Sequence, residues 1–331
     1  MTRVAVVGRG SAAARTLRVL EDMGISDVVN VATQPVEGFE HRHLLSIDRL
    51  KPDRVDWVFD CSPASRRVTH ARLLSERGLP TVFEKPLSMT SDSGKLVLDF
   101  YSNQGVPVKV AYNLRNFQAF EFVRGLLAES ALGPMIRAEI SVGQYLPDWR
   151  PMRDYRSTVS AQESLGGGVL LELSHEINYA IGLWGRVRTV AGKTKNSREL
   201  DIDAEDWAEG TLMFDSHPNS VEVSVTLDFL RRTPERWCRI TGQVGGLRWD
   251  LLRNEVSVAT PTGDVLHHFD DTFEDTYRQG ILEMMAVVSC ESGQVAGGNA
   301  DALHTLEVID AWRSSSQNDC GVDVRMASVR A

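Results

Sequence analysis

Short apolar runs alternate with helical periodicity over the first 118 residues of the chain. The runs are rich in β-branched side chains, as expected of buried strands, and the segments between them carry apolar residues at helical spacing. This alternation predicts βαβ units, and therefore a doubly wound parallel sheet of the Rossmann type over residues 1–118. The predicted strands are Arg3–Val7, Asp27–Thr33, Asp56–Cys61, Pro80–Phe83 and Val106–Ala111, with helices near Ser11–Met23, Val68–Arg77 and Asp92–Asn103.

The pattern changes over residues 119–331, which we assign to a second α/β domain. Alternating runs between residues 188 and 269 are separated by turn-forming residues such as His217-Pro218-Asn219, and this pattern predicts a large, mostly antiparallel sheet. One exposed face of such a sheet favours homodimers or homotetramers. Predicted helices of this domain lie near Ala119–Glu129, Leu171–Leu183, Thr272–Cys290 and Ala300–Arg313.

The composition argues against several function classes. The formal net charge of −9 over 331 residues works against a nucleic-acid surface, which needs a basic face. No stretch approaches the roughly 18 continuous apolar residues of a membrane span, and the N-terminus lacks the pattern of a signal peptide. The cysteines and histidines show no spacing typical of a metal site or a disulfide framework. We therefore expect a cytoplasmic protein with no bound metal and no membrane or nucleic-acid partner.

A glycine-rich turn follows the first predicted strand. Gly8 permits a tight turn, Gly10 lets backbone amides approach a pyrophosphate, and Ala13 is small enough for close packing of helix on strand. The N-terminus of the next helix offers amides and a partial positive charge to phosphates. The turn predicts a dinucleotide site, although a purely structural strand–helix turn has the same residues. The predicted cofactor contacts in this turn are Gly8, Arg9, Gly10, Ser11 and Ala12.

The end of the second predicted strand bears on the choice between NAD and NADP. An acidic residue there would bind the ribose hydroxyls of NAD, but the chain has Thr33 and Gln34 instead. Arg9 is a candidate for contact with the 2′-phosphate of NADP. We expect NAD or NADP, with a slight preference for NADP, and include Thr33 among the cofactor contacts.

Five motifs occur in a consistent order along nearly the whole chain. They are Phe59–Pro63, Glu84-Lys85-Pro86, Ala111–Arg115, Leu132-Gly133-Pro134 and Gly166–His175. Together they resemble the glucose–fructose oxidoreductase / inositol dehydrogenase (Gfo/Idh/MocA) family. The resemblance implies a Rossmann domain followed by an α/β domain whose large sheet is commonly used for oligomer contacts. It also implies hydride transfer between a nicotinamide and a carbon bearing a hydroxyl on a sugar, cyclitol or nucleotide-activated sugar.

Lys85 is the first catalytic candidate, since the resemblance places this lysine beside the nicotinamide and the substrate. A lysine at the end of a strand, next to a cofactor crevice, can stabilise a developing alkoxide. Arg67 stands where the family often has a histidine, and we expect it to be a solvated helix residue. Further cofactor contacts are predicted at Ser62, Pro63, Glu84, Lys85 and Asn113.

His175 and Glu172 are the other catalytic candidates. Imidazole exchanges protons near neutral pH, and Glu172 lies three residues earlier, on the same face of one predicted helix. The family usually has an Asp with three residues between it and the His, whereas this chain has a Glu with two. Either the longer side chain compensates for the shorter spacing, or Lys85 handles the proton instead.

An irregular stretch from Gln144 to Ser160 supplies the predicted substrate contacts. Its arginines and aromatic residues can bind an anion and stack on a ring. A structural loop held by Arg–Asp pairs is the alternative, because Asp148 and Asp154 lie in the same stretch. The predicted contacts are Tyr145, Trp149, Arg150, Arg156 and, on the following helix, Asn178.

The predicted function is therefore that of an NAD(P)-dependent dehydrogenase or reductase with a small, sugar-type substrate. Two alternatives stay open: a non-catalytic dinucleotide-binding sensor or scaffold, and an enzyme that uses tightly bound NAD in elimination or hydrolysis. The sequence leaves open the identity of the sugar, the carbon oxidised and the physiological direction.

Overall fold

A computed structural model describes residues 2–215, 221–289 and 298–324 of the chain. The turn predicted at residues 217–219, Cys290 at the end of a predicted helix, and residues 325–331 lie outside the described residues. The chain divides into two compact units. The first comprises Met1–Asn113 and Thr272–Leu303, and the second comprises Leu114–Asp271 and His304–Ala331.

The helices and strands alternate along most of the first unit, and strands predominate in the second. Up to residue 111 they are β1 (Arg3–Val7), α1 (Ser11–Asp22), β2 (Asp27–Val31), β3 (Arg42–Leu44), β4 (Trp57–Asp60), α2 (Arg67–Ser75), β5 (Thr81–Glu84), α3 (Ser91–Gln104) and β6 (Val108–Ala111). The remainder are α4 (Gln118–Ala128), β7 (Met135–Gly143), α5 (Val169–Glu172), α6 (Ser174–Trp184), β8 (Val187–Lys195), β9 (Trp207–Phe214), β10 (Val221–Asp228), β11 (Glu235–Gly242), β12 (Gly246–Asp250), β13 (Glu255–Thr260), β14 (Gly263–His268), α7 (Phe273–Ser289), α8 (Asn299–Asn318) and β15 (Val322–Asp323).

The sheet of the first unit has six parallel strands in the order β3-β2-β1-β4-β5-β6. The predicted Rossmann sheet is confirmed. The strand order reverses between β1 and β4, and ligands of such sheets bind at the carboxyl ends of the strands beside this point. Strand β3 was not predicted, because its three residues, Arg-His-Leu, carry no apolar pattern.

Helix α7 packs into the core of the first unit. Its buried residues Tyr277, Ile281 and Met284 recur at helical spacing and join a cluster that includes Leu17 of α1 and Trp57 of β4. The sequence analysis assigns this helix to the second domain. A single boundary drawn along the chain does not reveal that a distant segment returns to the core of the first unit.

The sheet of the second unit has nine strands in the order β14-β13-β12-β11-β7-β10-β9-β8-β15. Only the described pair β7–β10 is parallel, so the predicted mostly antiparallel sheet is confirmed. Helix α8 covers part of one face, where Trp312 lies on Gly192 and Gly210 so closely that a Cβ at Gly210 would be 2.8 Å from the indole. Within the described ranges, no helix is long and apolar enough to cross a bilayer.

Candidate active site

The turn after β1 has the geometry that its glycines predict. Gly8 has φ +118°, and a Cβ there would lie 3.0 Å from the carbonyl oxygen of Cys61 at the end of β4. Its amide donates to Val31 O at 2.9 Å, which ties the turn to β2. Gly10 differs, because no described atom lies within 4 Å of the position of its Cβ. The turn is therefore tight at Gly8 and open at Gly10.

Asn30 shapes this turn and was missed by the sequence prediction. It is a buried residue in the middle of β2, and its Nδ2 donates to Val6 O at 3.1 Å and to Gly8 O at 2.9 Å. The sequence does contain a signal for this role, which is an amide side chain in a strand of mostly apolar residues. Such a group must find hydrogen-bond partners when it is buried.

The N-terminus of α1 suits a dinucleotide phosphate. Gly10 is its N-cap, and among the described residues no side chain caps the helix and no acidic side chain lies in its first turn. Backbone N–H groups and the helix dipole favour an anion at such a terminus. Arg9 and Ser11 are exposed beside it. The residues present therefore fit a pyrophosphate group.

The predicted choice of cofactor concerns the end of β2. The strand ends at Val31, two residues before the predicted end, and Thr33 is exposed beyond it. Arg9 Nη1 donates to Gln34 Oε1 at 3.0 Å. Arg9, the candidate for contact with a 2′-phosphate, thus binds Gln34, which lies after β2 where an acidic residue would bind the ribose of NAD.

The segment after β4 is organised around the buried carboxylate of Asp60. Its Oδ1 accepts from Ser62 N at 2.8 Å, and its Oδ2 lies 2.8 Å from His70 Nδ1. Burial raises the pKa of Asp60, but the Arg67 charge and the His70 hydrogen bond outweigh this effect and bring the pKa down from 3.8 to about 2. The carboxylate is therefore ionised at neutral pH.

The expectation that Arg67 is a solvated residue is wrong. Its side chain is 1% exposed, with Nη1 3.1 Å from Asp60 Oδ1. It also donates to Asp60 O and to Glu84 O, each at 2.9 Å. The sequence places Arg67 at the start of α2, but only the fold shows that this start faces the ends of β4 and β5.

Glu84 is the last residue of β5, and Lys85 follows it. Glu84 is buried, and its Oε1 accepts from the Tyr277 hydroxyl at 2.6 Å while its Oε2 accepts from Lys85 N at 3.1 Å. Lys85 is half-buried, and the Lys85–Pro86 peptide is cis. The lysine therefore extends from a backbone segment whose neighbouring carboxylate is fixed.

Helix α7 also holds the end of β6. Asn113 is buried, and its Nδ2 donates to Thr276 Oγ1 at 2.8 Å. Thr276 and Tyr277 were not predicted as site residues, since they lie more than 160 positions along the chain from their partners.

One edge of the parallel sheet brings the predicted cofactor contacts of the first unit together. Each contact follows the carboxyl end of a parallel strand, and these ends share one edge. By strand, these contacts are Gly8, Arg9, Gly10, Ser11 and Ala12 after β1; Thr33 after β2; Ser62 and Pro63 after β4; Glu84 and Lys85 at the end of β5; and Asn113 after β6.

In the second unit, the three glycines before α5 are required by the backbone. Gly166 and Gly168 have φ of 89° and 97°, values that L side chains rarely adopt. A Cβ at Gly167 would lie 2.8 Å from the carbonyl oxygens of both Ser160 and Gln162. These glycines thus allow the chain to fold back tightly on residues 159–162 before it enters the helix.

The expectation that Glu172 and His175 lie on one face of one helix is wrong. Glu172 is the last residue of α5, Leu173 interrupts the helix with ψ 24°, and His175 is the second residue of α6. Glu172 accepts a hydrogen bond from Ser160 Oγ at 2.7 Å, and His175 is buried with 7% exposure. The tight turn of glycines sets Glu172 against Ser160, so spacing along an ideal helix does not apply.

Helix α6 is fixed to its sheet by an ion pair. The fully buried Glu176 binds Arg236 of β11 with two hydrogen bonds, of 2.7 Å from Nε and 3.0 Å from Nη2. Two residues further along, Asn178 Nδ2 donates to Thr305 Oγ1 of α8 at 3.1 Å. Asn178, a predicted substrate contact, is thus a buried residue engaged within the second unit.

The predicted aromatic substrate contacts pack against the connection between β10 and β11. Trp149 lies edge-on to Phe229 with ring centroids 5.2 Å apart, and the Arg232 guanidinium lies 3.5 Å from the centre of the Tyr145 ring. Both rings remain half-buried, so each has a packed side and an exposed part.

The predicted cationic contacts lie further along the same stretch. Arg150 is half-buried, whereas Arg156 is exposed and binds Asp154 through Nε at 2.9 Å and Nη2 at 2.8 Å. A second partner of Arg156 is Asp201 at 3.5 Å. Arg–Asp pairing therefore does occur in this stretch, as the structural alternative requires.

No group of three or more His, Cys, Asp or Glu side chains that could hold a metal ion is found in the part of the chain that the structure describes.

Comparison with known proteins finds a family model that matches part of the chain. Residues 120–248 match the family model described as the GFO/IDH/MocA C-terminal domain. The predicted family resemblance is confirmed. The match extends from α4 into β12 and includes two of the five motifs, Leu132-Gly133-Pro134 and Gly166–His175.

Curated relatives and solved structures that resemble this chain include dehydrogenases and other oxidoreductases. The chain is 24% identical over 285 residues to D-xylose 1-dehydrogenase (NADP(+)) 2 of Haloferax volcanii, covering 83% of this chain and 82% of the relative. It is 21% identical over 211 residues to Oxidoreductase P35 of Formosa agariphila; this match covers 63% of the chain and 64% of the relative, less than two thirds of its length. A structure of levoglucosan dehydrogenase in complex with NADH and L-sorbose has a TM-score of 0.86 at 19% identity, covering 99% of this chain and 100% of that one, and shares its fold.

Proposed function

We propose that this protein is an NAD(P)-dependent oxidoreductase that acts on a hydroxyl or keto carbon of a sugar, a cyclitol or a nucleotide-activated sugar. The observation that carries the proposal is the shared sheet edge, where the phosphate turn after β1 and Lys85 after β5 flank the reversal of strand order. Relatives named as sugar dehydrogenases support the substrate class.

The residues of the first unit have distinct roles in this proposal. The backbone from Gly8 to Ala12 binds the pyrophosphate, and Ser62, Pro63, Glu84 and Asn113 border the cofactor along the sheet edge. When bound, the nicotinamide supplies or accepts a hydride. The Lys85 ammonium donates a hydrogen bond to the reacting oxygen, so that it stabilises the negative charge that develops there or delivers the proton.

His175 and Glu172 are proposed for the same proton. In one version the imidazole of His175 exchanges the proton with the substrate oxygen, and Glu172 contributes through its carboxylate. In the other, Lys85 handles the proton alone, and the shortened spacing leaves His175 with a structural role. Variants of Lys85 and His175 distinguish the two versions.

The substrate contacts are proposed from the second unit. The exposed parts of Tyr145 and Trp149 offer flat apolar surfaces to a pyranose ring, and Arg150 and Arg156 suit a phosphate or carboxylate substituent. Asn178 is proposed as a polar contact of the same substrate.

The cofactor preference is proposed to be NADP. Arg9 and Gln34, joined by a hydrogen bond of 3.0 Å, supply donors and no carboxylate at the end of β2. Gln34→Asp would introduce a carboxylate that accepts from ribose hydroxyls and repels a 2′-phosphate. We expect this variant to shift the ratio of NADPH to NADH affinity towards NADH.

The assembly is proposed to be a homodimer or homotetramer formed through the nine-stranded sheet, in the cytoplasm. Trp237 points to the sheet face opposite Arg236, with Arg239 and Arg248 at 5.3 and 4.8 Å from its ring. An aromatic ring between arginines is typical of the centre of a protein interface. Sedimentation of Trp237→Glu against the wild type tests this surface.

The reaction is tested with reduced cofactor carrying deuterium at the nicotinamide C4. Keto-sugars, keto-cyclitols and nucleotide-activated keto-sugars are incubated with the protein and this cofactor, aldoses and cyclitols are incubated with the oxidised cofactor, and the products are analysed by mass spectrometry. The proposal predicts that a keto substrate takes up one deuterium on the carbon that becomes the new alcohol, with equal loss of reduced cofactor. A product formed without net cofactor turnover would instead indicate elimination or hydrolysis, and binding without any product would indicate a sensor or scaffold.

A further inference from the structure

The first unit contains a buried charged residue that the proposed reaction does not use. Arg67 is among the largest fully buried side chains of the described residues. Its Nε is buried without a hydrogen-bond partner in the described structure. A buried ion pair seldom adds net stability, and an unpaired buried donor costs about 1–3 kcal/mol. Stability alone therefore does not account for an arginine at this position.

The contacts of Arg67 join the ends of two neighbouring strands. Nη1 donates to Asp60 O and Nη2 donates to Glu84 O, both at 2.9 Å, so one planar group bridges the last carbonyls of β4 and β5. The guanidinium also lies 5.4 Å from the centre of the Phe83 ring. Its charge is balanced by the Asp60 carboxylate 3.1 Å away. The group therefore acts chiefly by fixing the positions of carbonyl groups.

The bridged carbonyl belongs to the residue before Lys85. The ladder between β5 and β6 ends with the pair Glu84 and Ala111, so the sheet itself stops holding the chain at this point. Beyond it, the Glu84 carboxylate is held by the hydroxyl of Tyr277 and by Lys85 N. Arg67 adds a restraint on the carbonyl of the Glu84–Lys85 peptide.

We propose that Arg67 is a positioning residue for Lys85: by holding the Glu84 carbonyl against the end of β4, it fixes the backbone from which the catalytic ammonium extends. The inference rests on the proposed function. A displacement of about 1 Å at a reacting group can cost up to about 10²-fold in rate. Loss of the bridge is therefore expected to lower kcat without weakening cofactor binding.

The test is a double-mutant cycle of Arg67→Met and Lys85→Met, with Arg67→Lys as a conservative variant and Arg72→Met as a control. Arg72 lies on the same helix, but it is exposed, and its side chain pairs with the exposed Glu76. Each protein is measured for its melting temperature, its Kd for reduced cofactor by fluorescence, and its kcat. If Arg67→Met does not fold, Arg67→Lys takes its place in the cycle.

The proposal predicts that Arg67→Met lowers kcat by about 10- to 100-fold with Kd unchanged. In the Lys85→Met background the same change is expected to lower kcat by no more than about 2-fold, because the side chain being positioned is already gone. Arg67→Lys, which can reach only one carbonyl at a time, should fall between, and Arg72→Met should match the wild type.

Three results would overturn the proposal. Equal losses of kcat in both backgrounds would show that Arg67 acts independently of Lys85. A higher Kd with unchanged kcat, or a lower melting temperature alone, would assign Arg67 to the cofactor site or to the fold. A wild type that transfers no hydride would be a failure of the proposed function instead, and it is recognised before any variant is made.

Discussion

Each unit contains a buried arginine–carboxylate pair beside a candidate catalytic residue, but the two pairs are built differently. Arg67 divides its donors between the Asp60 carboxylate and the carbonyls of Asp60 and Glu84. Arg236 directs two donors to one carboxylate, that of Glu176. The first pair therefore fixes backbone at the ends of strands, and the second fastens a helix side chain to a sheet.

Because of this difference, the first pair should affect the geometry of the reacting groups, and the second should affect the stability of the fold. Arg67 constrains the peptide that leads to Lys85, and Asp60 keeps its hydrogen bonds with Ser62 N and His70 when the arginine is removed, so the removal should lower kcat as well as stability. Arg236 neutralises a carboxylate with no exposed surface on the helix that carries His175, so its removal should be felt mainly in the free energy of unfolding. Variants of the two pairs and of the residues beside them test this contrast, beginning with the largest expected effect.

Lys85→Met should have the largest effect on the reaction. Loss of the ammonium removes the proposed proton donor and alkoxide stabiliser, and we expect kcat to fall by about 10²- to 10⁴-fold. Lys95→Met, an exposed lysine of α3, is the matched control. Steady-state kinetics on the two variants, alongside His175→Gln, shows which residue handles the proton. Turnover of Lys85→Met at the wild-type rate would remove its catalytic assignment.

Arg236→Met should have the largest effect on stability. It leaves the Glu176 carboxylate buried without its partner, which costs about 3–5 kcal/mol in comparable pairs. Chemical denaturation monitored by circular dichroism measures this loss. Adding Glu176→Met to the variant should recover most of the lost stability, because no charge then remains buried. A single variant as stable as the wild type would show that the pair is not essential to the second unit.

The pH dependence of stability tests the Asp60–Arg67 pair. The pKa of Asp60 in the folded protein, about 2, lies below its ordinary value of 3.8, so ionisation of this group stabilises the fold above about pH 4 by roughly 2 kcal/mol. That contribution is lost as the pH falls through about 2. Unfolding free energies of the wild type and Asp60→Asn, measured from about pH 5 downwards, should therefore converge by this amount. A constant difference between the two proteins would contradict the depressed pKa.

The smallest effect is expected from Arg156→Ala, outside both pairs. Its partners Asp154 and Asp201 are exposed, so the melting temperature should change little. If the substrate carries a phosphate or carboxylate, KM should rise more than kcat falls, and Arg150→Ala should behave alike. Arg188→Ala, an exposed arginine of β8 paired with Asp215, is the control. An unchanged KM in both loop variants would place the anion contact elsewhere.

The parts of the site that could be predicted are those whose physics is local. The turn at Gly8 follows from the need for a positive φ and a close approach, and the parallel strands follow from apolar runs at short range. Lys85 is predicted as a site residue because it lies in a specific motif, and its position after β5 follows from the predicted strand.

The parts that could not be predicted depend on segments that are far apart in sequence. Arg67 looks like any surface arginine until the ends of β4 and β5 converge on it, and Tyr277 meets Glu84 across 193 positions. The break at Leu173 is of the same kind, because Ser160 holds Glu172 through a tight turn that helical periodicity does not reveal.

Cofactor affinity in variants of Gly10 tests the dinucleotide site most directly. Gly10 is the N-cap of α1, and its Cβ position is open, so Asp or Asn can occupy it and each is a favourable N-cap residue. Titration calorimetry with NADPH and NADH should show weaker binding to Gly10→Asn, through bulk, and no measurable binding to Gly10→Asp, through added repulsion of the pyrophosphate. Both variants should melt no lower than the wild type. Unchanged affinity for both dinucleotides in a folded Gly10→Asp protein would contradict a cofactor at this edge of the sheet.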